Sequence, residues 1–379
     1  MAKTPGVKDK TRKEDGRQLW LAGMEPPKEG EVPNIMGNPQ TKAKTPSPEN
    51  LTTYWNMLYE RLTPASKSER MRESPYKPDL VDRLSQVAIR LPEDVQLKTV
   101  ELLSTLLKDW GEDNNVRIIS ARGLGLIARE VSGKAEKAAA DALTQTIDSP
   151  EEKENRQSLL LPECLNSLSK HITGKGDSKT KSVDFMMEVI LDAGEKENFR
   201  HDITHALERS LKNSDETTTR YILEQAKNLV WDNRQDLKTR SMGMSIIEYI
   251  AVDSKHETAG YRAIEELSKL AKDPQEYGET KARAIRGLRS IAIRDNEPRA
   301  LEATQKMIEY LNDKEENPDG RNQAVLALAD TVIHGRDIVK KPALEKVTYI
   351  EQDSEEHPFI TKAAKEGLAR IKENEQQRK

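Results

Sequence analysis

Two histidines four residues apart, in His201-Asp202-Ile203-Thr204-His205, are the nearest this sequence comes to a metal site. On a helix that spacing puts both imidazoles on one face, where they could share a tetrahedral ion. No third ligand is marked. The position of His205 in the repeat described below is held elsewhere by Arg122, Glu163, Ser245, Arg286, Leu326 and Glu366. Such company reads as a solvated helix face. His201 and His205 are therefore weak metal candidates, and no metal or other cofactor is expected. The chain also lacks a phosphate-binding glycine loop, a nucleophile elbow and a paired-cysteine site, and Cys164 is its one cysteine. The expectation is a protein without catalytic residues.

Binding of charge is the chemistry the side chains do suggest. Lys281, Arg283, Arg286, Arg289 and Arg294 fall within fourteen residues, with no acid among them. Guanidinium groups suit carboxylates and phosphates because they donate paired hydrogen bonds from a planar fork. Arg122 shares the repeat position of Arg286. The expected partner-binding residues are Arg122, Arg283, Arg286, Arg289 and Arg294, and the expected partner is a protein or peptide, acidic in character.

The elements that would carry these residues repeat. A basic residue followed by apolar or small residues at offsets three, seven, ten and eleven recurs from Lys77, Arg117, Ser158, Arg200, Arg240, Lys281, Arg321 and Thr361, in steps of 40 to 42 residues. At offset seven stand Leu84, Leu124, Leu165, Leu207, Ile247, Leu288, Leu328 and Leu368. Offset ten holds Val87, Ile127, Leu168, Ser210, Ile250, Ile291, Thr331 and Ile371. These offsets share one helical face. A second amphipathic segment precedes each, for example Val95 to Leu107, Ala135 to Ile147 and Leu301 to Leu311. Breakers such as Asp148-Ser149-Pro150, Gly174-Lys175-Gly176, Asp273-Pro274, Asn317-Pro318-Asp319-Gly320 and His357-Pro358 are expected between the two helices, A and B, of a unit. Pro162 falls inside the third B helix, where it should kink the helix or move its start. Gly123 and Gly125 fall mid-helix and read as close-packing positions.

The period of about 40 to 41 residues and the stretch from Val116 to Ala128, with Lys281 to Ala292 and Arg321 to Asp330, resemble HEAT and armadillo-type repeats. The fold expected is all-α: a right-handed α-solenoid of about eight HEAT-like helix pairs, residues 47–375. A disordered tail, residues 1–46, should precede it. The resemblance implies that B helices line the concave groove, which would make that groove basic. It also implies inter-unit Asp–Arg ladders, for which Asp113 before Arg117, Asp236 before Arg240 and Asp319 before Arg321 are the candidates. Arg122, Arg286 and Arg289 lie at exposed offsets that such a ladder does not use. Deoxyhypusine hydroxylase, a HEAT-repeat enzyme, needs several His-Glu pairs for iron, and only His256-Glu257 matches.

Composition agrees with a stack. Charged residues make up 33% of the 379, hydrophobic ones 35% and aromatics 4%. A compact globule of this length needs a thicker apolar core, whereas thin stacked layers each bury a narrow seam. Seven of the 18 prolines fall in the first 50 residues, which fits the tail. Ser47-Pro48 and Ser149-Pro150 read as helix starts capped by serine. A lone thiol excludes an internal disulfide framework. No apolar h-region or membrane-spanning stretch is present, so the expected compartment is cytoplasmic. The function these readings favour is a non-enzymatic protein-binding scaffold or adaptor. The alternative is a nucleic-acid-binding protein, such as a DNA-repair glycosylase built of HEAT-like repeats with a basic groove. Against it stand a net charge of −4 and B helices nearly free of aromatics apart from Tyr249.

Overall fold

The expected helix pairs appear in a computed structural model, which describes residues 47–63, 76–154, 159–294 and 297–378. The expected tail, residues 1–46, lies outside them. Among the described residues every regular element is a helix. Unit one holds α1 (Pro48–Leu62) and α2 (Lys77–Ala88), and unit two α3 (Glu93–Lys108) and α4 (Asn114–Glu130). Unit three has α5 (Lys134–Asp148), the short α6 (Pro150–Glu154) and α7 (Leu160–Ile172). Unit four is α8 (Lys179–Leu191) with α9 (Glu197–Leu211), and unit five α10 (Glu216–Trp231) with α11 (Leu237–Asp253). Unit six pairs α12 (Glu257–Lys272) with α13 (Gly278–Arg294), and unit seven α14 (Glu297–Asn312) with α15 (Pro318–His334). Unit eight is α16 (Asp337–Gln352) and α17 (Pro358–Gln377).

From Trp55 onward the helices form one compact body. Before it, the first turns of α1 start at a capping serine, Ser47, whose Oγ accepts from the Asn50 N–H at 3.3 Å. Within the body the apolar stripe of each B helix faces inward. Leu84, Leu124, Leu207 and Leu328 are fully shielded from solvent, as are Leu165, Ile247 and Leu288 to within a few per cent. The two polar residues at offset ten, Ser210 and Thr331, are buried too; each returns its hydroxyl to a carbonyl of its own helix, Leu207 O at 2.7 Å and Ala327 O at 2.9 Å. Leu368, on the last helix, is half-buried.

Close approach of neighbouring B helices explains the glycines of α4. A methyl group at Gly123 would meet Ser85 of α2, and one at Gly125 would lie 2.9 Å from the backbone Cα of Ser167 on α7. Two helices approach that closely only where one lacks a Cβ.

The structure meets one expectation and changes another. Pro162 moves the start of its helix: α7 begins at Leu160, which places the proline in the first turn, where a missing N–H costs nothing. Ser158, the expected first position of that helix, lies outside the described residues. Gly174-Lys175-Gly176 joins α7 to α8, so it separates units three and four rather than the two helices of one unit. Ser149 does cap: its Oγ accepts from the Glu152 N–H at 3.3 Å at the start of α6.

Candidate functional site

The turn between helices A and B has its own repeating chemistry. An aspartate ends six of the eight A helices and accepts from the N–H two residues on, as Asp109, Asp192, Asp232, Asp273, Asp313 and Asp353 do at 2.8 to 3.1 Å. Three residues after it stands Glu112, Glu195, Gln235, Glu276, Glu316 or Glu356. All of these but Gln235 join one unit to the one before. Arg117 pairs with Glu152, Arg240 with Glu276 and Lys77 with Glu112, all buried. Lys281 reaches Glu316 at 3.4 Å, and Arg321 grips Glu356 through two bonds of 2.8 and 2.6 Å. The same arginines donate to the last turn of their own A helix: Arg117 Nε to Leu107 O at 2.8 Å, Arg240 Nε to Val230 O at 2.6 Å, Arg321 Nη2 to Leu311 O at 3.1 Å. Arg117 also lies 4.6 Å above the Trp110 ring. Each of these arginines thus ties helix A, helix B and the next unit together.

Arg117, Arg240 and Arg321 are ladder residues as expected, but the acids differ from those expected. Asp113 and Asp236 accept from backbone N–H groups of Asn115 and Thr239, so they cap α4 and α11. Asp319 sits inside α15, which Asn317 caps. Short aspartates beside a helix start satisfy its free N–H groups; reaching the neighbouring unit takes the longer glutamate set further back in the turn.

The five candidate arginines meet different fates. Arg122 stands on α4 and the rest on α13, so the fold does not gather them into one site. Arg122 is half-exposed and pairs with Glu163 of the next unit at 3.1 Å. Arg283 donates from Nη2 to Ser245 of the preceding unit at 2.8 Å, and burial pushes its guanidinium below the ordinary value. Arg289 Nε lies 2.8 Å from Asp330 Oδ2 of the following unit, an ion pair without the N–H aimed along it. Asp330 also pairs with Arg370 of α17. The acid-free stretch of sequence is therefore partly neutralised by acids from its neighbours. Arg286 and Arg294 differ: both are exposed, and neither has a side-chain partner among the described residues.

His201 and His205 point to solvent. Each faces a glutamate of its own helix, Glu197 at 3.8 Å and Glu208 at 2.8 Å. Among the described residues no group of three or more His, Cys, Asp or Glu side chains is arranged to hold a metal ion.

One constellation escaped the sequence reading. Ser182 Oγ lies 2.8 Å from His171 Nδ1, and His171 Nε2 lies 2.9 Å from Glu136 Oε1. Serine, imidazole and carboxylate stand in the order a hydrolase uses, yet all three are buried to 1% exposure or less. A nucleophile shut off from solvent reaches no substrate. Glu136 accepts in addition from the Ser178 N–H and hydroxyl at 2.9 and 2.8 Å and from the Asp177 N–H at 3.2 Å, so the relay clamps the turn before α8 onto α5. The three residues lie far apart in sequence with no shared motif, and nothing short of the fold brings them together.

Among the described residues, helix pairs repeating at a period of about 40 residues and stacked through their B helices give an all-α repeat fold of the HEAT/armadillo type. No family model and no curated protein matches the chain. Similar solved structures include Kap121p bound to Pho4p, at 11% identity and a TM-score of 0.40, over 85% of this chain and 36% of that one. A designed armadillo repeat protein in complex with the peptide (KR)4 is similar at 20% identity and 0.30, over 60% and 98%. An engineered protein is similar at 17% and 0.27, over 86% and 92%. The chain spans little more than a third of the Kap121p chain. No described helix is long and apolar enough to cross a membrane.

Proposed function

We propose that this chain is a non-enzymatic scaffold that binds an acidic protein or peptide on its B-helix face, with α13 at the centre of the site. The observation that carries this reading is the pair Arg286 and Arg294, exposed and unpartnered among the described residues on a helix whose one acid is Glu279. Arg283 and Arg289, pinned to the neighbouring units, hold that helix in place. Arg122 serves the second unit through its pair with Glu163 and is no part of the same site. An extended acidic segment would exchange water on the two free guanidinium groups for bidentate hydrogen bonds.

The test is binding of a fluorescent polyglutamate peptide and of a DNA duplex to the full chain and to Arg286→Glu/Arg294→Glu. The reading expects peptide binding that the double reversal abolishes, with weak duplex binding at physiological salt. Duplex affinity that falls steeply with salt and disappears on reversal would favour a nucleic-acid partner. Peptide binding that survives reversal removes α13 from the site. Arg289 is left intact because a glutamate there would face Asp330 and disturb the stack.

A further inference from the structure

The ladder between units carries a carboxylate at every junction but one. Lys77–Glu112, Arg117–Glu152, Lys153–Glu195, Arg240–Glu276, Lys281–Glu316 and Arg321–Glu356 each join a unit to the next. Between units four and five, Gln235 stands where the glutamate belongs. Its amide turns back on its own loop, Nε2 donating to Asp232 Oδ2 at 3.1 Å. Arg200, the ladder cation of unit four, is 5% exposed. It donates to Ile190 O at 2.7 Å and to the Thr239 hydroxyl, and no carboxylate lies within ion-pair distance of it among the described residues. Asp236 and Glu197 act on its charge only from further away, and Lys238 opposes them.

A buried cation beside a hydroxyl in place of a carboxylate is held less firmly than its counterparts, since desolvation is not repaid by a close opposite charge. The apolar seam is thinner here as well. Ser210 occupies the offset-ten position of α9, where the helices on either side, α7 and α11, present Leu168 and Ile250. Unit four shares less contact with both neighbours than most adjacent units share with each other. The ionic links that do cross the junction of units four and five are peripheral, Lys179–Asp215 at 2.5 Å and Lys238–Glu197 at 2.6 Å, with a bond from the Tyr221 hydroxyl to Asp184 beside them; none of these reaches Arg200. At the other junction of unit four the Lys153–Glu195 pair and the bond from Ser169 Oγ to Ala206 O, 2.9 Å, hold the units.

We infer that the junction of units four and five is a hinge built into the stack, a place where the scaffold changes curvature while the units on each side move as blocks. The site on α13 then lies in the block of units five to eight, and bending at α9/α11 alters how that block faces units one to four. This inference stands on the ladder and the packing and does not depend on what the scaffold binds.

Double electron–electron resonance on the full chain tests it. Cys164 is buried, so nitroxides go to introduced cysteines at equivalent positions. His201→Cys with Ser241→Cys brackets the junction of units four and five, and Ala282→Cys with Asn322→Cys brackets that of six and seven. The expected result is a distance distribution about twofold broader across the first pair, narrowed towards the second by Gln235→Glu, which supplies the missing carboxylate. Hydrogen exchange in the first turns of α9 and α11 should slow about tenfold in the same variant. Equal widths in the unmodified ladder would overturn the hinge. So would a broad distribution, with unchanged exchange, that Gln235→Glu leaves as it was, because the missing carboxylate would then not be its cause.

Discussion

Adding one methyl group to either of two helical glycines should shift stability in opposite directions. Replacing a helix-interior glycine by alanine gains about 1 kcal/mol from propensity alone. At Gly125 the new Cβ would lie 2.5 Å from Ser167 Cβ and 2.9 Å from its Cα. Neither atom can rotate away, since both belong to the frame of α7, so α4 and α7 must separate. Overpacking of this kind costs about 1–3 kcal/mol, and a backbone clash falls at the upper end. Subtracting the propensity gain leaves Gly125→Ala destabilised by about 2 kcal/mol. At Gly287 the nearest atom is Leu267 Cδ1, 3.2 Å away and at the end of a rotatable side chain. Gly287→Ala should therefore be neutral or stabilised by up to about 1 kcal/mol. Urea unfolding followed by circular dichroism, with equal slopes required before midpoints are compared, reads both. A Gly125→Ala protein as stable as the parent would refute the close approach of α4 and α7, and so would the reverse ranking.

Other perturbations follow from the same contacts. Leu124→Ala, Leu288→Ala and Leu328→Ala each empty a buried seam position and should cost about 2–5 kcal/mol in the same assay. Glu356→Ala leaves the Arg321 guanidinium buried without its carboxylate and should cost about 3–5 kcal/mol; a loss under about 1 kcal/mol would mean the ladder does not join the units. Acid should weaken the stack in two stages, seen in thermal midpoints against pH. Burial pushes His171 below its ordinary 6.5, so the stability linked to its neutral form is full above 6.5 and is lost as pH falls through the lower folded value. Burial would raise Glu356, but the Arg321 bonds outweigh it and hold the carboxyl below 4.5; its share is present above 4.5 and lost below. His171→Gln should remove the first stage and leave the second.

Periodicity made the fold readable because each unit solves the same packing problem with the same stripe. Leu84 to Leu368 at offset seven announce eight B helices without any knowledge of their neighbours, and the glycines at 123 and 125 announce where helices touch. The ladder was half legible. Basic residues at the head of helix B were visible, but aspartates near them drew attention from the glutamates further back in the turn. The pattern Asp-x-x-Glu, as in Asp313 to Glu316 and Asp353 to Glu356, is present in the sequence; what it lacks is any local sign that the glutamate reaches a different unit. Charge on α13 was legible as composition and not as a free surface. Whether Arg289 faces solvent or Asp330 depends on a residue 41 positions away, which only the stacking of α13 on α15 decides. The Ser182–His171–Glu136 relay shows the same limit, since three ordinary residues become one network through tertiary contact alone.

Capture from an extract of the native host is the most direct check on the proposed role, run with the full chain, with Arg286→Glu/Arg294→Glu, and with a control reversal at Lys341, an exposed residue of α16. The expected result is a partner retained by the parent and by Lys341→Glu, displaced by free polyglutamate, and absent from the α13 double reversal. A partner held equally by all three proteins, or untouched by polyglutamate, would contradict an acidic-partner site on α13.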